Sequence, residues 1–151
     1  MKKTVVLIIV FMAFIGCKFN KNQSENKNIK LTMIAKGNLH GAGAEGIEKQ
    51  NIVIKNTSDW NDLLEKMNSI NKVSNTFSET KIDFSKYMVI ASFDEVKGSG
   101  GHSLELKLQN KPDEIIISII RSSPDGMATT VMSQPYYLAK IPKSNKTVIF
   151  K

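Results

Sequence analysis

The sequence predicts an α+β domain that is mainly antiparallel β, with about seven strands forming a sheet or sandwich and one amphipathic helix packed on it. Three observations carry that reading. Tyr87-Met88-Val89-Ile90-Ala91-Ser92-Phe93 is an apolar strand, followed by the turn Gly98-Ser99-Gly100-Gly101. From His102 a second strand alternates, with Leu104, Leu106 and Leu108 on one side and Ser103, Glu105 and Lys107 on the other; that period of two is what a half-buried strand requires. Trp60, Leu63, Leu64, Met67 and Ile70 fall at helical spacing and make one apolar stripe, the mark of a helix that covers a sheet.

The chain has 151 residues, the length of one domain plus an export segment. Lys2 and Lys3 precede an apolar run from Thr4 to Ile15, too short to span a bilayer as a stable helix. Phe14-Ile15-Gly16-Cys17 closes the run, and Cys17 is the only cysteine. This end resembles a bacterial lipoprotein signal, which implies that residues 1–17 form a signal peptide ending at a lipidated Cys17. The other reading is an ordinary secretory signal with an incidental cysteine. A lipidated Cys17 leaves no disulfide framework, thiol nucleophile or thiolate metal site. Residues 18–28 are polar and aperiodic, and read as a flexible tether. Residues 29–151 then make a single β-rich domain. The address implied is the bacterial cell envelope, lipid-anchored to the outer or inner membrane. No acidic cluster of the type seen in surface-exported lipoproteins follows Cys17, and by that comparison the resemblance implies the periplasmic side.

The formal charge is +7, and the chain stays basic when Lys2 and Lys3 leave with the signal. Its lysines are dispersed, Arg121 is the only arginine, and no aromatic-interleaved basic stripe occurs. Nucleic acid is therefore not an expected partner; solvated surface lysine accounts for the charge.

Along the domain, Ile29, Leu31, Met33 and Ala35 alternate with Lys30, Thr32, Ile34 and Lys36 as a first strand, with Ile34 interrupting the polar face. A glycine-rich loop from Gly37 to Gly46 follows, then the β-branched Ile52-Val53-Ile54 as a short buried strand. Thr57 or Ser58 is the expected helix cap, with Asp59 and Asp62 in the first turn. Asn71 to Ser85 reads as a polar connector anchored by Phe77, Ile82 and Phe84. After the opening pair of strands come Glu114 to Ile120, the Pro124-Asp125-Gly126 turn, an extended segment from Thr129 to Ile141, and a closing strand Thr147 to Phe150. Pro135 cannot donate to a ladder, so it marks an edge, a bulge or a bend.

Chemical motifs are sparse. Gly41-Ala42-Gly43-Ala44-Glu45-Gly46 matches the dinucleotide-binding string, but a strand signal follows where that fingerprint needs a helix. The Gly98 turn lacks the Lys-Ser/Thr of a phosphate loop. The Ser-x-x-Lys matches are as frequent as chance gives in a Ser- and Lys-rich chain. His40 and His102 are the only histidines and stand in no zinc-binding frame. The reading is a protein without catalytic residues, cofactor or metal.

The strand and turn Val89 to Leu104, the segment Gln134-Pro135-Tyr136-Tyr137-Leu138-Ala139-Lys140-Ile141-Pro142-Lys143 and the closing Val148-Ile149-Phe150 together resemble the C-terminal domain of the PrcB family, named for a protease-complex subunit. The resemblance covers residues 87–150, with His102 where the family more often has Tyr. It implies a non-catalytic envelope lipoprotein, a protein-binding module that associates with or stabilises a protease or another envelope complex. The expected contact residues are Gly98, Gly100, Gly101, His102, Gln134, Pro135 and Tyr136, because function concentrates on loops carried by a rigid scaffold. The alternative is a protease inhibitor that wedges the glycine-rich turn into an active-site cleft. The membrane, through Cys17, and an envelope protein are the expected partners.

Overall fold

A computed structural model describes residues 29–151. The expected signal peptide, Cys17 and the tether 18–28 lie outside the described residues. Seven strands form two sheets: β1 (Thr32–Leu39), β2 (Gln50–Ile54), β3 (Tyr87–Phe93) and β6 (Gln134–Pro142) in one, β4 (Ser103–Asn110), β5 (Glu114–Ser122) and β7 (Thr147–Phe150) in the other. The first has the order β1-β6-β3-β2 and is antiparallel throughout. In the second, β5 pairs antiparallel with β4 and parallel with β7. The α+β, mainly antiparallel architecture is the one the sequence predicts.

The four-stranded sheet is the middle of three layers, and this explains its composition. Val89, Ala91 and Phe93 of β3, with Tyr136 and Leu138 of β6, face helix α1 (Thr57–Asn68). Met88, Ile90, Tyr137, Ala139 and Ile141 face Leu104, Leu106, Ile115 and Ile117 of the second sheet. A strand covered on both sides must be apolar at successive positions, and β3 is buried from Met88 to Phe93. Strand β4 has one covered face and alternates. The two elements, consecutive in sequence, belong to different sheets and are joined by residues 94–102.

Helix α1 starts one residue earlier than Thr57 as cap would give, and two earlier than Ser58 would. Asn56 is the N-cap: its Oδ1 accepts from Asp59 N–H at 2.9 Å, and its Nδ2 donates back to Asp59 at 2.8 Å, a reciprocal arrangement that satisfies a free helix-end donor. Trp60, Leu63 and Met67 are buried and Leu64 packs beside them. Ile70 falls past the helix end and is half-exposed.

Strand β1 runs to Leu39, so Gly37 and Asn38 are strand residues instead of loop. Its alternation is also shifted. Met33 faces Ala139 and Ala35 faces Leu138, so Ile34 is the extra residue of a bulge. Both Ile34 and Ala35 are buried while Met33 is exposed. The Ile34 carbonyl, displaced from the ladder, accepts from the N–H and hydroxyl of Ser78, each at 3.0 Å. Phe84 is buried, and Phe77 and Ile82 pack against the same core.

Pro135 does not mark an edge. Strand β6 lies inside its sheet, with β1 on one side and β3 on the other. Residues Thr129–Met132 are not strand; Ser133 makes an isolated bridge with Lys97 and β6 begins at Gln134. No helix among the described residues is long and apolar enough to cross a membrane.

Candidate functional site

The strand registers bring three connections to one end of the layers. Leu39 lies beside Gln134, Phe93 beside Tyr136, and Ser103 beside Ser122. The connections 40–49, 94–102 and 123–133 therefore converge there.

Asp94 fastens the first two of these connections to strands β5 and β6. It follows the last residue of β3 and is 2% exposed. Its N–H donates to Pro135 O at 2.9 Å. Its carboxylate lies 3.2 Å from Lys49 Nζ, 3.4 Å from Arg121 Nε and 3.5 Å from Lys97 Nζ. Burial is the largest single influence on this carboxyl and pushes its pKa up. The Glu95 N–H and the ammonium groups of Lys49 and Lys97 outweigh it, and the result lies below the usual aspartate value.

The glycine turn is docked on the 123–133 loop. Lys97 N–H donates to Ser133 O at 2.7 Å and Ser133 N–H returns to Lys97 O at 3.0 Å. Gly100 N–H donates to Thr129 O at 3.0 Å, and Ser133 Oγ to Ser99 O at 3.1 Å. A Cβ at Gly100 would come within 2.5 Å of Thr129 Oγ1, and one at Gly101, whose φ is +82°, within 2.9 Å of Pro124 Cβ. These two glycines are needed for contact between loops, and Gly101 also for its left-handed backbone. His102 Nε2 lies 3.0 Å from Ser99 Oγ, and the His102 carbonyl accepts from Asn38 Nδ2 at 3.2 Å.

The expected contact residues thus divide. Gly98 and Gly101 are exposed and His102 is half-buried, whereas Gly100, Gln134, Pro135 and Tyr136 are buried. Gln134 donates from Nε2 to Ile47 O at 2.7 Å and to Asp94 O at 2.8 Å. Tyr136 packs between Phe77 and Phe93, each ring centroid 6.2 Å away, with its phenol beside Gly37. Burial raises its pKa. Gln134, Pro135 and Tyr136 support the loop end from beneath.

Sequence reasoning missed the apolar tip. Met127 is fully exposed, Met132 is 51% exposed and Val131 38%. The signal was available: after Pro124-Asp125-Gly126 comes Met-Ala-Thr-Thr-Val-Met, a mixed apolar stretch absorbed into an extended strand on its β-branched content. The Ser99–His102 pair was missed as well. It places a hydroxyl against an imidazole, but no carboxylate engages that ring among the described residues.

The Gly41–Gly46 string folds as a tight turn, with Ala42, Gly43 and Gly46 all at positive φ. Glu45 is 4% exposed and accepts from Gly41 N–H at 2.8 Å. A strand, β2, follows it. Among the described residues no group of three or more His, Cys, Asp or Glu could hold a metal ion. Compared with protein-family models, with curated proteins and with solved structures, the chain matches none.

Proposed function

We propose that this chain is a non-catalytic lipoprotein of the bacterial cell envelope, anchored through Cys17, whose domain binds another envelope protein through the paired loops 94–102 and 123–133. The observation that carries the reading is the exposure of Met127, Val131 and Met132 on the 123–133 loop, where Val131 lies against the glycine turn. Both cores are closed without these side chains, and exposed apolar groups gathered on loops mark contact surfaces. Methionine suits such a surface because its unbranched thioether adapts to a partner's shape. The resemblance of residues 87–150 to the PrcB family makes a protease complex the first class of partner to test.

A second reading is protease inhibition by the glycine turn. Gly98 favours it, because no atom lies within 4 Å of where its Cβ would be, so the turn stands open to a cleft.

The experiment is a mild cross-link of the tagged, lipidated protein in its own envelope, read by mass spectrometry beside a Met127→Asp, Met132→Asp variant. A stoichiometric partner recovered by the wild type and lost by the variant supports the binding reading. Equal recovery by both overturns it. Purified protein added to serine, cysteine and metalloproteases tests the second reading, which fails if none is inhibited at micromolar concentration. Turnover of a simple ester by the wild type, abolished in Ser99→Ala, would overturn the non-catalytic part.

A further inference from the structure

The end of the domain opposite the apolar tip carries a second surface. Thr32 faces Lys140, Tyr87 faces Pro142, and Glu114 faces Thr147. The turns at 83–86, 110–114 and 142–147 therefore meet there, and Ile29, the first described residue, joins them. Ile29 lines a cleft of about 440 Å³ together with Ser85, Lys86, Lys143, Ser144 and Lys146.

Two of these lysines differ from most ion-paired lysines of the domain. Lys49, Lys97, Lys111 and Lys140 each have a carboxylate within 4 Å, and in the cleft Lys86 pairs with Asp83 at 3.0 Å. Lys143 instead donates to Phe84 O at 2.9 Å. Lys146 donates to Asn110 Oδ1 at 2.7 Å and to Lys111 O at 2.6 Å. Neutral oxygens hold both ammonium groups in place without cancelling their charge, and no carboxylate pairs with either among the described residues. Two fixed cations beside the Ser144 hydroxyl match the donors that a phosphate oxygen accepts, while the Ser85 hydroxyl is held by Asp83 Oδ1.

The position of the cleft indicates where that phosphate comes from. The eleven residues 18–28 lead from Cys17 to the cleft's edge, and a segment of that length spans at most about 40 Å even when fully extended. We infer that this lysine cleft is a membrane-facing surface that takes the phosphate headgroups of anionic lipid, and so holds the domain with its apolar tip away from the bilayer. The inference rests on the lipoprotein reading of Cys17. A lipid anchor on a tether of this length leaves the orientation of the domain open, and a basic surface drawn to anionic headgroups fixes it.

The test uses the unlipidated chain from residue 18, which retains both cores, and vesicles of phosphatidylcholine with or without phosphatidylglycerol. The wild type is expected to co-sediment with the anionic vesicles only. Lys143→Gln, Lys146→Gln is expected to weaken that binding about thirtyfold, roughly a factor of five for each lysine near an anionic surface. Lys66→Gln, Lys107→Gln removes the same charge elsewhere and is expected to have a far smaller effect. Equal loss in both double variants, or binding indifferent to phosphatidylglycerol, overturns the proposal. So does binding of inorganic phosphate at the cleft without any vesicle preference, which makes it a site for free anions. Circular dichroism confirms that each variant is folded. Labelled-lipid incorporation at Cys17 in cells is a separate readout, so failure of the lipoprotein reading and failure of the cleft are distinguishable.

Discussion

Gln134 Nε2 donates to the carbonyl oxygen of Asp94, taking the acceptor that Pro135 leaves open. Tyr136 faces Phe93 in the ladder, so the next pair outward is Pro135 with Asp94. Asp94 N–H does bond Pro135 O, but proline has no N–H to return. The side chain of the preceding residue supplies the missing donor, and this is how a proline is accommodated inside the sheet.

Replacing Gln134 by Leu therefore leaves two buried acceptors, Asp94 O and Ile47 O, without their donor. Stability should fall by about 1–3 kcal/mol, measured by urea unfolding. Adding Pro135→Ala restores a backbone N–H opposite Asp94 O, so the double variant should be more stable than Gln134→Leu alone. Simple additivity in that cycle would show that the two residues do not share the acceptor.

Asp94 ties the loop end together as a carboxylate. Its folded pKa lies below its unfolded value, so its contribution is present above the unfolded carboxylate pKa and is lost as pH falls through the folded pKa. Asp94→Asn should cost about 1–2 kcal/mol at neutral pH, a modest figure because Lys49 and Arg121 are nearly half-exposed and regain solvent. The variant's stability should also decline less than the wild type's on acidification. Parallel slopes below pH 4, in thermal melts across the range, would remove Asp94 from this role.

Gly101 and Gly126 both have positive φ, +82° and +89°, but only Gly101 has a neighbour where a Cβ would go. Gly126→Ala should cost about 1–2 kcal/mol for its left-handed backbone. Gly101→Ala should cost more, and should also release the 123–133 loop to limited proteolysis. Equal costs and unchanged cleavage would mean that the Pro124 contact contributes nothing.

Trp60 donates from Nε1 to Thr80 O at 2.7 Å and is 1% exposed. Trp60→Phe loses that bond and leaves a gap between α1 and the sheet, at a cost of about 1–3 kcal/mol. It is the only tryptophan, so unfolding of the variant is followed by circular dichroism.

Residue periodicity revealed each strand's existence but not its partner. The unbroken burial of Met88 to Phe93 and the alternation of Leu104, Leu106 and Leu108 are local signals of two-sided and one-sided cover. They told a middle layer from an outer one only after both sheets were in place. The β1 bulge was half-legible, since Ile34 stood out as an apolar residue on a polar face. An extra residue that resets the alternation reads, in sequence, as a simple exception. Gln134-Pro135-Tyr136 looked like a binding motif because Pro, Gln and Tyr are residues of loops and interfaces. What places them inside is the Asp94 carbonyl, forty residues away in the chain, which no local pattern encodes. The apolar tip was hidden for a different reason: Val131 and its threonine neighbours suit a strand, and nothing in the sequence says that no neighbouring strand is there.

The order of strands has a consequence for when the domain can form. β1 has a single neighbour in its sheet, β6, and Thr32 waits for Lys140. Until β6 is delivered, the first strand has no ladder to join and β3 is paired only with β2. Pairings between such distant segments are slow to form. The four-stranded sheet therefore stays open at β1 and β3 until the segment from Gln134 to Pro142 has been supplied.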